Sequence, residues 1–96
     1  MQAPRELKSL GLGKFLDEYD FWATMPSHAE AVKYQIQKKI SNEGGAAWRA
    51  SAAKKIFSNT ALLRVCLTYA AEHATQVSAQ QREVAKKRLA FLRSLP

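Results

Sequence analysis

Residues 61–76 read ALLRVCLTYAAEHATQ. At helical spacing Leu62, Leu63, Val65, Cys66, Leu67, Tyr69, Ala70 and Ala74 cover well over half the circumference of this segment. A helix so apolar has no broad side to offer water, so it is expected to lie at the centre of the fold, with the other elements packed around it.

Its neighbours carry helix signals of their own. Downstream, Ser78 and Gln81 have the spacing of a capping box, in which a hydroxyl and an amide each satisfy an orphan backbone donor. They open a last helix to about residue 94, with Val84, Leu89, Phe91, Leu92 and Leu95 on its apolar side. Upstream, SNT at 58–60 can cap the apolar helix and separate it from one over about 46–57, the alternative being a continuous helix through it. Before that, SNEGG predicts a turn at 42–45, since Gly44 and Gly45 interrupt the periodicity. Ser27 and Glu30 form a second capping-box match after Pro26 and start a helix with Ala29, Val32, Ile36 and Ile40 facing inward. The first long helix spans 12–25, where Leu12, Phe15, Leu16, Tyr19, Trp22 and Ala23 form one stripe.

No segment alternates with the period of a strand, and there is no internal repeat. The expected fold is all-α, a compact bundle of four to five helices, with residues 1–96 as one domain and residues 1–11 flexible. A chain of 96 residues has room for a single modest core, here expected to contain Trp22, Trp48, Phe57, Leu62, Cys66, Tyr69 and Leu92.

The charges divide the chain. Residues 1–30 hold three bases against five acids, a balance of −2, and residues 31–96 hold twelve against three, a balance of +9. The net +7 on so small a chain favours an anionic partner, most commonly nucleic acid. The one cysteine, Cys66, makes no internal disulfide, which suits a reducing compartment such as the cytoplasm. The opening residues lack the apolar core of a signal peptide, and no apolar run approaches a membrane span.

Catalytic chemistry finds little support in these residues. Cys66 and His73 share a helix face but stand about 10 Å apart along the axis, too far for a nucleophile and its base. His73 is expected to be a core histidine. One cysteine and two histidines make no zinc set, so neither metal nor cofactor is expected. Asp17, Glu18 and Asp20 read as a solvated face or as attractors of basic residues on another helix or subunit, and GLGK at 11–14 is too short for a phosphate loop.

The basic residues fall into three groups. On the 46–57 helix, Trp48, Ala52, Ala53, Ile56 and Phe57 span an apolar half-circle, opposite Lys54, Ser51 and Lys55. Trp48 and Phe57 are therefore expected inside and the two lysines outside. Arg49 falls within the apolar arc, where it needs a partner, and the acidic 17–20 face is the nearest in character. On the preceding helix Tyr34 shares a side with Lys38, flanked by Lys33 and Lys39, and it is open whether the ring stacks on a base or is buried by the bundle. On the last helix Arg82, Lys86 and Arg93 form a narrow stripe with Lys87 to one side, a track suited to phosphates.

A helix-turn-helix is the first architecture to test, but its recognition helix would be the apolar 61–76 segment, whose only base is Arg64. Contact with the nucleic-acid backbone is expected instead of base readout. The reading is thus a non-enzymatic small basic helical accessory protein that binds nucleic acid, a single strand or a duplex backbone, through sequence-tolerant phosphate contacts at Lys33, Tyr34, Lys38, Lys39, Arg49, Lys54, Lys55, Arg82, Lys86, Lys87 and Arg93. A small subunit lining the strand channel of an RNA-guided effector complex would work in this way. The alternative is a helical adapter or inhibitor that docks its basic face on an acidic protein.

Overall fold

The structure is a computed structural model that describes residues 2–25, 27–39 and 42–94. It is all-α, with no strand among the described residues. The elements are α1 (Arg5–Leu10), α2 (Leu12–Asp17), α3 (Tyr19–Ala23), α4 (His28–Gln37), α5 (Glu43–Phe57), α6 (Thr60–Thr68), a π-helical turn (Tyr69–His73) and α7 (Ala79–Ser94). Among the described residues seven α-helical segments thus stand in place of the expected four or five. The Cα radius of gyration is 12.7 Å, close to the roughly 12–13 Å of a packed chain of this length.

Two differences arise near the start. Residues 5–10, expected to be flexible, form α1, and Leu7 and Leu10 are both buried. Gly11 makes the join to α2: its N–H closes α1 on the Leu7 carbonyl at 2.9 Å and its own carbonyl accepts from Phe15 N at 2.8 Å. With φ at 95°, Gly11 occupies backbone space that L side chains rarely adopt. Gly11→Ala should therefore cost about 1–3 kcal/mol from backbone strain, because the added Cβ meets nothing nearer than 3.9 Å. Chemical denaturation measures this, and a neutral result would show that the turn adopts another conformation.

The second difference is that the expected 12–25 helix breaks at Glu18 into α2 and α3. Phe15, Leu16, Tyr19 and Trp22 nevertheless all reach the core, and the Trp22 indole N–H donates to the Lys14 carbonyl at 2.9 Å. Phe15, Tyr19 and Phe57 form a ring cluster with centroids 5.1 to 5.9 Å apart.

The central helix is α5, which packs against α1, α3, α4 and α6; the sequence favoured the more apolar 61–76 segment. Ala46, Ala50, Ala52, Ala53 and Ile56 are buried on α5, and the small alanines let α1 and α4 approach closely. Asn42 caps it by accepting from Gly45 N at 2.9 Å, so Gly44 and Gly45 lie in the first helical turn and not in the expected loop.

α4 is rotated from its expected orientation. Ala31 and Gln35 are buried, Val32 and Tyr34 are half-buried, and Ala29 and Ile36 are exposed, while Ile40 lies outside the described residues. Burial of Gln35 is possible because its amide donates to the Ala31 carbonyl at 3.2 Å and to the Ala46 carbonyl at 2.8 Å, joining α4 to α5. Ser27 caps α4 as expected, accepting from Glu30 N at 3.2 Å.

Asn59 caps α6, accepting from Leu62 N at 3.2 Å. The helix expected to reach 76 changes to π geometry at Tyr69 and stops at Ala74, whose N–H bonds the Tyr69 carbonyl at 2.8 Å. Arg82 of α7 holds this end, donating to the Ala71 carbonyl at 2.9 Å and the Ala74 carbonyl at 2.6 Å. The capping box at the start of α7 forms in both directions, each Ser78–Gln81 bond being 3.0 Å long.

Of the expected core, Trp22, Cys66 and Leu92 are buried, and Phe57, Leu62 and Tyr69 are half-buried. Trp48 is 70% exposed and Phe91 62% exposed, contrary to expectation, and Val65 also faces water. Leu95 lies outside the described residues. His73 is exposed and not a core histidine.

Candidate nucleic-acid interface

The position of Trp48 follows from the geometry of α5. At 100° per residue the buried arc runs from Ala52 round to Ala50, and Trp48 falls about 40° beyond Ala52, on the side of Ser51 and Lys55. The alanine face is packed by α1 and α4, so the indole, at the margin of the arc, projects outward. It stands over a hollow formed with α1, whose lining is Arg5, Glu6 and Ser9 from α1 and Trp48, Ser51, Ala52 and Lys55 from α5. The surface continues past Trp48 over Ala47 to Gly44. An exposed indole next to one lysine and one arginine from two helices is therefore the centre of the candidate interface.

His28 of α4 borders this surface, with Nε2 at 3.3 Å from both the Ala47 carbonyl and Ser51 Oγ. A carbonyl only accepts, so the nitrogen that serves it carries the hydrogen and has no lone pair free for a serine proton. The contact joins α4 to α5 and does not make Ser51 a nucleophile.

The residues expected to bind are scattered. Lys55 lines the hollow, whereas Lys54 is exposed on another side of α5. Arg49 lies in the buried arc as its periodicity implied, but its Nε donates to the Leu10 carbonyl at 3.2 Å and not to the acidic 17–20 face. Tyr34 stacks on Phe21 with centroids 3.8 Å apart, and its hydroxyl donates to Glu18 Oε2 at 2.7 Å, so the bundle already uses this ring. That hydrogen bond, with burial second, raises the Tyr34 pKa. Lys38 places its Nζ 6.0 Å from the same ring, and Lys33 and Lys39 are exposed on α4 and just after it.

On α7 the expected track is incomplete, because Arg82 serves the carbonyls of the π turn. Lys86 is exposed and 3.8 Å from Glu83, a surface pair of little energetic weight. Arg93 and Lys87 are exposed, and Lys87 borders Phe91 in a second hollow with Val84 and Arg88. The acidic cluster is engaged in holding helices together: Asp17 accepts from Gln81 at 3.0 Å, Glu18 from Tyr34, and Asp20 from Arg88 at 2.5 Å. Arg88 also lies 4.8 Å from the Tyr19 ring centroid. The expected attraction to a base on another helix is thus seen at Asp20. Burial raises the Tyr19 pKa, with nearby Arg88 opposing it.

Sequence reasoning missed Arg5, Glu6 and the outward Trp48. One signal was present: Trp48, Ser51 and Lys55 follow at i, i+3 and i+7, a face of their own. Among the described residues no group of acids, histidines and cysteine is arranged to hold a metal, and no helix is long and apolar enough to cross a membrane. Compared with known proteins, the chain matches no family model, no curated protein and no solved structure.

Proposed function

We propose that the chain is a small basic accessory protein that binds single-stranded nucleic acid on the outer face of α5, stacking a base on Trp48 and holding adjacent phosphates with Lys55 and Arg5. The observation that carries this reading is the 70% exposure of Trp48 beside those two cations. Base stacking on an aromatic is worth about 1–3 kcal/mol and tolerates any sequence, and phosphate contacts supply the rest. The exposed indole borders an open hollow, where an unpaired base can reach it and a base inside a duplex cannot. The exposed lysines elsewhere extend the attraction without base readout, as in a small subunit of a nucleoprotein assembly.

Fluorescence tests this directly, since Trp22 is buried and Trp48 is not. Single-stranded oligonucleotides at about 50 mM salt should quench the Trp48 emission. Trp48→Ala should weaken binding by about 1–3 kcal/mol while leaving helicity intact. Removing the charges of Arg5 and Lys55 together should flatten the salt dependence by about one to two units. Absence of binding to any oligonucleotide would overturn the proposal.

A second reading, the adapter, is favoured by Phe91, 62% exposed beside Lys87 on α7. An apolar anchor next to a cation fits an acidic protein partner. That partner would be lost on Phe91→Ala and kept on Trp48→Ala.

A further inference from the structure

The hollow under Trp48 contains one acid. Glu6 lines it together with Arg5, Ser9, Ser51 and Lys55, and among the described residues no lysine or arginine nitrogen lies within 4.0 Å of its carboxylate. A carboxylate at a phosphate-binding surface repels the strand unless the ligand brings hydrogen-bond donors to it. The hollow measures about 130 Å³, the liquid share of roughly four waters, so it admits the edge of a base whose face lies on the exposed indole.

The Watson–Crick edges of the bases differ in what they offer two carboxylate oxygens. Guanine presents N1–H and the N2 amino group side by side, two adjacent donors. Adenine and cytosine present one amino donor next to an acceptor nitrogen, and uracil presents one N–H between two carbonyls. Only guanine pairs both of its edge donors with both carboxylate oxygens, and a bidentate pair of this kind discriminates strongly against the other bases.

We infer that the hollow is a guanine-selective position within an otherwise sequence-tolerant single-strand footprint: the base stacks on Trp48, Glu6 accepts from N1–H and the N2 amino group, and Arg5 and Lys55 hold the flanking phosphates. This rests on the single-strand reading of the α5 face. The ligand is a guanine within a strand, since the remaining exposed lysines contribute only to a chain long enough to reach them.

The test uses labelled RNAs of about five nucleotides, UUGUU, UUAUU, UUCUU, UUUUU and the inosine strand UUIUU, which lacks only the N2 amino group. UUGUU should bind about ten- to a hundredfold more tightly than the A, C and U strands, with UUIUU between. Glu6→Gln should bring UUGUU down to the level of UUUUU, and circular dichroism confirms that this partly exposed residue leaves the fold unchanged. If the strands bind through Trp48 with equal affinity and Glu6→Gln tightens all of them alike, Glu6 is only a repulsive charge; the guanine assignment is then overturned while the single-strand reading stands. If no strand binds, both fall. Free GMP completes the set: binding as tight as that of UUGUU would assign the hollow to a nucleotide and overturn the strand as its ligand.

Discussion

Trp22→Ala should remove about 3–5 kcal/mol of folding stability. The side chain is 1% exposed, the largest fully buried one in the protein, and its ring meets Phe21 edge-on with centroids 5.1 Å apart. Truncation loses the transfer energy of the indole, leaves a cavity between α3 and the elements over it, and forfeits the hydrogen bond to the Lys14 carbonyl. A domain of this size has on the order of 5–15 kcal/mol in total, so the loss takes about a fifth or more of it and lowers Tm by more than about 12 °C. Denaturant titration reads the effect as a fall in midpoint at constant slope. The other tryptophan is the control: Trp48→Ala should stay within about 0.5 kcal/mol of the parent, as for a surface substitution. A loss below about 1 kcal/mol at Trp22 would place its ring outside the core.

Cys66 should react with disulfide reagents roughly a thousandfold more slowly in the folded chain than in the unfolded one, because only the thiolate attacks. Burial pushes its thiol from 9.0 up to about 12, with the nearby negative charge of Glu6 adding to it. The same shift makes stability depend on pH. Below pH 9 both states keep the proton and the contribution is fully present; between 9 and about 12 the unfolded chain ionises while the folded one does not, so stability falls through that window. Cys66→Ala should remove this part of the alkaline loss. Rapid labelling of the native protein would show that α6 exposes the thiol, and the alkaline window would then vanish with it.

The starts of α4, α6 and α7 were legible because each depends on atoms within three residues. Ser27, Asn59 and the Ser78–Gln81 pair satisfy backbone donors whose positions are set by the chain itself, and each is found where its spacing implied. The position of Cys66 was legible for a related reason, since it lies well inside its apolar arc and stays buried however the neighbours are arranged. The candidate site was only partly legible. Lys55 was expected on the surface, but its companions Arg5 and Glu6 belong to a segment expected to be flexible.

By itself, then, the sequence determined an all-α chain, the capped starts of α4, α6 and α7 and the sign of its charge, all properties of local backbone chemistry and composition. The tertiary structure decided which residues lie at the margins. Periodicity places Trp48 next to Ala52 on α5 but does not say where the buried arc ends, and that limit depends on how closely α1 and α4 approach over the alanines. The same long-range contacts bury Gln35 by supplying the Ala46 carbonyl, and they draw Arg82 away from solvent to the end of the π turn. Such partners lie 8 to 11 residues away in the chain, and only packing brings them within hydrogen-bond distance, which is why the candidate face emerged from the fold and not from the helical pattern.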